Sequence, residues 1–294
     1  MSSASPFRCL ACDGASLEPR ASGLVCAQCG AAYPTERGIP VLVRDPSVHE
    51  AAIERAREVN PAWYETEQPP ELASPWRHHL KKRRLYVEGV LRREIARRGW
   101  RKCPRLLDLG CGDGNNLLWL AQFTDELYGS DYNMVRLTRA KARFPGATLF
   151  LADILDYPAR DGVFDIIFFN HVIEHIRDDA SALATAHRIL APGGLLILGT
   201  PNEGAWWWQR AYRRSPETLA TTDHVHFYTA ETIGAKMQAA RLNVFEVKHM
   251  GWGPPDWELD GRWRRYRVVD DVFELLGRVF IPRQASSLYL LATK

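Results

Sequence analysis

No stretch of this chain reaches the ~18 uninterrupted apolar residues of a membrane-spanning helix. Its N-terminus, MSSASPFRCLACDG, also lacks a basic segment followed by an apolar run. A spanning anchor and a secretory signal are therefore not expected, and the chain reads as soluble, intracellular and cytoplasmic. An excess of one charge is missing too: 38 Lys and Arg against 35 Asp and Glu leave +3. That balance by itself argues for no polyanionic partner. Cysteine is scarce, with six in 294 residues, so the chain is not one of the short, cysteine-dense disulfide scaffolds. Apolar side chains are not scarce. At 46% they suffice for a buried core, and the length suits one or two domains at ~100–200 residues each.

The few cysteines are unevenly placed. Cys9-Leu10-Ala11-Cys12 and Cys26-Ala27-Gln28-Cys29 form two C-x-x-C knuckles, while Cys103 and Cys111 stand apart. Two such knuckles can aim four thiolates at one centre, the tetrahedral set that structural zinc prefers. Redox pairs or two disulfides are the competing readings, and both suit a cytoplasmic setting less well. A four-thiolate site has no open coordination position, so this zinc is expected to hold structure. The segment from Cys9 through YPTERGIPVLV resembles the zinc-ribbon units of small activator proteins for tRNA methyltransferases. Residues 1–45 are thus expected to be a zinc ribbon. Residues 46–76, with ETEQPPELASP, read as a linker carrying a short helix at 51–59.

Between Arg77 and Lys102 stand eleven Lys or Arg against Glu88 and Glu94. Leu80, Val87, Leu91 and Ile95 recur there at helical spacing. Such a stripe could grip phosphates, but the first expectation is the solvated face of an amphipathic helix.

Residues 105–116, RLLDLGCGDGNN, carry the most information. A buried strand ends in Gly110, Gly112 and Gly114, and a helix begins near Asn115. Glycines there permit a sharp turn and a close backbone approach to a ligand. ELYGSDYN ends a second strand at Asp131, and an acid about 20 residues after the glycine loop suits ribose hydroxyls. TLFLAD ends at Asp153, FDIIFFN ends at Asn170, and GGLLILGT is another strand. With helices at 134–143 and 178–190 between them, the alternation predicts a doubly wound parallel α/β sheet that binds ligands at its strand ends.

LLDLGCGDG, Asp131, Asp153, FDIIFFNHVIEHI and RILAPGGLLILGTPN together resemble class I S-adenosylmethionine-dependent methyltransferases, from about residue 80 to the C-terminus. The resemblance implies a seven-stranded Rossmann-like sheet with its last strand antiparallel, occupying residues 77–294, with an insertion at 251–285. It also implies roles for single residues. Asp108, Gly110, Cys111 and Gly112 would surround the methionine part of the cofactor. Asp131 would hold the ribose, with Asn133 and Met134 beside it. Asp153 and Ile154 would frame the adenine, and Asn170 and His171 would lie below the sulfonium.

For the acceptor, His171, His175, His224 and His226 are the candidate bases, since histidine titrates near neutral pH. His171-x-x-Glu174-His175 resembles the E-x-x-E-H metal motif of ubiquinone-biosynthesis O-methyltransferases, with His171 where the first acid would be. Glu174 is therefore a candidate too, and a second divalent metal is an alternative to a direct histidine base. Trp206, Trp207 and Trp208 fall where this class builds acceptor pockets. VFELLGRVF is expected to pack as an amphipathic helix, with a homodimer contact or a membrane-surface contact as alternatives. The expected function is methylation, on oxygen, of a small-molecule or glycan-type biosynthetic intermediate. An RNA methyltransferase using the ribbon and the 77–102 helix is the first alternative, and an inactive cofactor-binding partner protein is the second.

Overall fold

The structure is a computed structural model and describes residues 5–14, 17–59, 65–216 and 223–294. Part of the expected linker, 60–64, and the first two residues of TTDHVHF lie outside the described residues. The chain divides into two compact units. The first comprises Met1–Gln68, Lys102–Phe168 and Ala184–Gly194, and the second Pro69–Arg101, Phe169–Leu183 and Leu195–Lys294.

In the first unit, strands β1 (Leu17–Arg20), β2 (Gly23–Cys26), β3 (Ala32–Glu36) and β4 (Ile39–Pro40) form a small antiparallel meander between and after the cysteine knuckles. Helix α1 follows at Pro46–Val59. Strands β5 (Cys103–Leu109), β6 (Thr124–Asp131) and β7 (Thr148–Leu151) are parallel neighbours, and β5 also pairs in parallel with β8 (Phe164–Asn170). Helices α3 (Leu117–Leu120) and α4 (Met134–Arg143) alternate with them. Phe164 and the run from Ile166 to Phe169 in β8 are buried on both faces, which is why that strand reads as an unbroken apolar run.

The meander closes the edge of this sheet. Val41 bridges Leu151 in parallel, and the Leu42 N–H donates to the Leu151 carbonyl at 2.9 Å. Phe7 stacks edge-on against Phe150 at 4.9 Å and against Tyr128 at 6.5 Å. An uncovered β7 would offer unpaired backbone groups to other chains. The tail GIPVLV meets that need with its buried Ile39, Val41, Leu42 and Val43.

The second unit holds α2 (Arg77–Arg97), β10 (Asn243–Met250), β11 (Ser287–Thr293) and most of β9 (Leu190–Pro201). Strand β11 is antiparallel to both β9 and β10, and the seven-stranded order is β10-β11-β9-β8-β5-β6-β7. The expected doubly wound sheet with an antiparallel last strand is thus present. The later helices are α5 (Asp179–Ile189), α6 (Trp206–Arg214), α7 (Ala230–Ala239), α8 (Trp257–Arg264) and α9 (Arg267–Phe280).

Two helices depart from the expectations above. The basic helix α2 is not a plain solvated face. Lys82 pairs with Asp270 and Asp271, Arg84 with Glu71 and Glu88, and Arg97 and Arg98 with Glu94. Its buried residues include His79, Glu88 and Glu94 beside Val87 and Leu91, so polar groups replace part of the apolar stripe. The VFELLGRVF helix, α9, does not pack its apolar face either. It buries Asp270, Glu274 and Gly277 and exposes Val272, Leu275, Leu276 and Val279.

Truncating Phe7 removes a 6%-exposed ring from between Phe150 and Tyr128. Phe7→Ala is expected to cost about 3 kcal/mol, as buried Phe deletions do. A lowered midpoint in denaturant unfolding of the full chain checks it.

Candidate functional site

In the first unit the turn after β5 is built on positive-φ glycines: Gly110 at 80°, Gly112 at 53° and Gly114 at 77°. The left-handed region is open to glycine and costly to other residues. The Gly110 and Cys111 N–H groups donate to the Ser130 carbonyl at 2.9 and 2.8 Å, tying the turn to the end of β6. Asp131 then accepts from Gly112 N at 2.8 Å and from Asn133 N at 2.9 Å, one bond to each carboxylate oxygen. The Asn133 side chain caps α4 by accepting from Val135 N and Arg136 N, so Met134 opens that helix. Asp153 accepts from Leu155 N and opens the short turn Ile154–Asp156. Met134, Asp153 and Ile154 are half-buried, whereas Cys111, Gly112 and Asn133 are buried.

Asp108 lies beneath this loop at 1% exposure, and its Oδ2 has no hydrogen-bond partner. Burial, with the Asp131 charge adding to it, pushes its carboxyl up to about 8. Burial also raises Asp131 and lifts the Cys111 thiol well above its ordinary value, which leaves Cys111 protonated and poorly suited to nucleophilic attack. A residue missed in the sequence reading closes the loop from outside. The Gln68 N–H donates to Asp113 Oδ2 at 2.6 Å, and Gln68 Oε1 lies 3.5 Å from where a Cβ on Gly112 would stand. ETEQPP offers no motif that marks it for this place.

In the second unit, Asn170 Oδ1 accepts from the Tyr289 hydroxyl at 3.0 Å and from Arg83 Nη2 at 3.3 Å. His171 has a φ of 55°, held by its N–H donating to the Gly199 carbonyl at 2.8 Å. Its Nδ1 lies 3.4 Å from Glu174 Oε1, and its buried Nε2 has no partner. Glu174 is 1% exposed and accepts from the Thr200 hydroxyl at 3.2 Å. Burial alone would raise the Glu174 carboxyl, but His171 outweighs it and holds the group at about 2. Burial, reinforced by the Arg83 charge, brings the His171 imidazole down to about 4. Glu174 is therefore ionised and His171 neutral at pH 7.

The Glu174 carbonyl accepts from Val225 N and His226 N, which fastens the loop carrying His224. His175 Nδ1 lies 3.0 Å from Asp223 Oδ1, and its ring stands 4.8 Å from that of His224. His224 Nδ1 lies 2.6 Å from Glu203 Oε2, while Glu203 Oε1 accepts from the Tyr212 hydroxyl at 2.6 Å. Burial pulls His224 down, yet the bond and charge of Glu203 outweigh it and keep its value raised. His226 stands apart, with Nε2 3.0 Å from the Ile176 carbonyl and 3.1 Å from that of Arg177. Ligand-capable atoms of Glu174, His175 and His224 all lie within 4.8 Å of one another. Asp223 lies in the segment that histidines mark and Glu203 just before the three tryptophans, and neither acid carries a motif of its own.

A cavity of about 210 Å³ is lined by Trp76, His79, Arg83, His171, His224 and Arg264, among others. Three of its nitrogens, His79 Nδ1, His171 Nε2 and Arg264 Nη2, are buried without a hydrogen-bond partner. Arg83 donates to Tyr289 and Asn170, and no carboxylate pairs with it among the described residues. The four N-terminal cysteines also converge. Cys9 and Cys29 sulfurs are 3.6 Å apart, Cys12 and Cys26 sulfurs 3.7 Å, and all four lie within 4.8 Å.

Residues 76–247, more than half of the chain, match the model of the methyltransferase domain family. A Mycolicibacterium smegmatis protein described as a probable S-adenosylmethionine-dependent methyltransferase is 30% identical over 157 residues, 53% of this chain and 59% of that one. Trans-aconitate 2-methyltransferase of Variovorax paradoxus is 32% identical over 110 residues, 37% of this chain and 42% of that one. The chain thus spans less than two thirds of either relative's length. The N-methyltransferase NodS of Bradyrhizobium japonicum, solved with S-adenosylhomocysteine, superposes with a TM-score of 0.52 at 19% identity, over 84% of this chain and 98% of that one. No helix of the described residues is long and apolar enough to cross a membrane. Given the sheet order, the glycine turn after β5 and the match over residues 76–247, the chain belongs to the methyltransferase domain family and has the class I, Rossmann-like fold.

Proposed function

We propose that the chain transfers a methyl group from S-adenosylmethionine to an oxygen of a polar small-molecule or glycan-type acceptor, with His224 as general base. The observation that carries this reading is the carboxylate–imidazole pair Glu203–His224, whose imidazole lines the cavity of the second unit. The cofactor fits the first unit's residues. The orphaned Asp108 Oδ2 suits a cationic amino group, and each Asp131 oxygen keeps capacity for a ribose hydroxyl after accepting one backbone bond. The glycine turn leaves backbone exposed for close approach. Asp153 and Ile154 are the candidates for the adenine, and Asn170 and His171 for the acceptor side. When bound, the cofactor supplies a methyl group already activated on a sulfonium.

The chain's own residues then position the acceptor and move one proton. His224 takes the proton of the acceptor hydroxyl, and Glu203 orients the ring and stabilises the imidazolium that forms. The cation of Arg83 favours an acceptor that presents oxygen, and the unpartnered His171 Nε2, a hydrogen-bond acceptor while Nδ1–H faces the Glu174 carboxylate, suits a hydroxyl donor on that acceptor. A relative named for trans-aconitate supports a small molecule. The RNA alternative draws on α2, where Lys82 and Arg84 are already paired with carboxylates and Arg83 with Tyr289 and Asn170.

The four-cysteine cluster fits structural zinc. Tetrahedral zinc–thiolate bonds of about 2.3 Å place the sulfurs about 3.8 Å apart, close to the spacings of 3.6 and 3.7 Å. A second reading has its own observation: Glu174, His175 and His224 could hold a divalent ion with nitrogen and carboxylate ligands.

Three outcomes are expected. In the unliganded protein, the stability contributed by neutral Asp108 is full below about pH 4 and is lost as pH rises through about 8. Asp108→Asn should therefore gain stability over wild type across that window, by ~2–4 kcal/mol, while calorimetry shows weakened S-adenosylmethionine binding. An unchanged affinity removes Asp108 from the cofactor site.

With a base that must be deprotonated, the rate of S-adenosylhomocysteine formation rises with pH through the His224 value, which Glu203 raises. Glu203→Gln should move that rise about one unit lower and reduce the plateau ~10-fold. An unmoved profile rejects His224 as base, and absence of turnover with every acceptor fraction supports the inactive-partner alternative.

Metal analysis of the purified chain should give one zinc per chain, lost on Cys12→Ser. A further equivalent, lost in His175→Ala and His224→Ala but retained in Cys12→Ser, replaces the direct base with the metal reading.

A further inference from the structure

Helix α9 is built inside out. Its residues at 270, 274 and 277 face inward and are Asp, Glu and Gly, all buried. Its residues at 268, 272, 275, 276 and 279 share the opposite face and are all Val or Leu. Val268 is 74% exposed, Leu275 and Val279 64% each, and the terminal Phe280 74%. The inward acids are neutralised within the unit: Asp270 by Lys82 and Arg264, Glu274 by Arg278. Solvent therefore meets the apolar face, and among the described residues nothing covers it. Contiguous exposed apolar surface of this kind marks a contact site.

The surroundings of that face select its partner. Trp263 and Tyr266, at the junction of α8 and α9, are more than half exposed, and such amphipathic rings favour the bilayer interface. Arg262 and Arg265 are exposed with no ion pair among the described residues, and the side chains of Arg267 and Arg278, although paired with Asp271 and Glu274, are 80% and 58% exposed. An apolar groove of about 300 Å³ adjoins the helix, lined by Trp207, Trp252, Phe273, Leu276, Phe280 and Ile281. In a symmetric dimer through this face, Arg267 and Arg278, which flank it on the same helix, would approach their own copies. An anionic surface would pair with them instead.

We propose that α8 and α9 form a peripheral membrane anchor, whose apolar face enters the headgroup–acyl boundary of an anionic bilayer with its arginines at the phosphates. The contact stands apart from methyl transfer, and its test uses no turnover.

The test is co-sedimentation of the full-length chain with vesicles of equal parts phosphatidylcholine and phosphatidylglycerol, against phosphatidylcholine alone. The chain is expected to pellet with the anionic vesicles, less so as salt rises, and to stay in the supernatant with the neutral ones. Leu275→Gln with Val279→Gln, both solvent-facing and replaced by a good helix former, should reduce the bound fraction about tenfold. Arg265→Gln, on a different element, should weaken binding about fivefold. Absence of pelleting with anionic vesicles at low salt overturns the proposal, as does pelleting that neither variant changes. A dimer in sedimentation velocity without lipid, abolished by the double variant, also overturns it and assigns the face to a second copy of the chain.

Discussion

A buried carboxylate is the constraint on which the second unit's site depends. Glu174 is 1% exposed and remains ionised only because donors and imidazoles surround it. The Thr200 hydroxyl and His171 Nδ1 address its side chain, while Val225 and His226 donate to its backbone carbonyl. One residue thus ties the turn after β8 to the end of β9 and to the loop at 223–228. The juxtaposition of His175 with Asp223, and of His224 with Glu203, follows from that tie. It also accounts for the unusual backbone of His171. A non-glycine residue at φ 55° is costly, and it is held here by a hydrogen bond to Gly199 and by its ring against Glu174.

The first unit works by a different electrostatic rule. Its acids are not matched with imidazoles: Asp131 is stabilised by two backbone N–H groups, and Asp108 Oδ2 is left without a donor. Burial therefore raises both acids, and a cationic or hydroxyl-rich ligand is what would satisfy them. In the second unit Glu174 Oε1 also lacks a hydrogen bond, but the Thr200 hydroxyl donates to Oε2 and two imidazoles stand within 4.0 Å. Glu174 therefore stays charged and the neighbouring imidazoles divide, with His171 lowered and His224 raised. Such separation of titrating groups within one cluster is typical of sites that handle protons.

Local periodicity made much of the fold legible. The strand–helix alternation, the glycine turn, the Asp131 strand end and the two cysteine knuckles each rest on residues a few positions apart, where spacing constrains geometry directly. Partners distant in sequence were not legible. Gln68 meets Asp113 across 45 positions and Trp76 meets Asp260 across 184, and no local pattern encodes such pairings. Histidines in HVIEHI and DHVHF could be nominated by type, but their ranking could not. His224 stands beside Glu203 and His226 against two backbone carbonyls only because of how the loop lies on Glu174. For α2, the count of basic residues was correct, but the acids that neutralise them lie on other elements as well as on the helix itself.

The same limit explains α9. Apolar residues at helical spacing announce an amphipathic helix and imply that the apolar side faces the core. That inference assumes the polar side has no better place to go. Here Lys82 and the buried Arg264 bring positive charge into the unit's interior, and an uncompensated buried cation costs more than a buried ion pair. Asp270 answers both, and turning Asp270 and Glu274 inward necessarily turns Val272, Leu275 and Val279 outward. Hydrophobic residues at the inward positions would ordinarily be at least as stabilising as buried ion pairs. The ion pairs account for the inward acids but not for the run of Val and Leu on the outer face, which the proposed bilayer contact would cover.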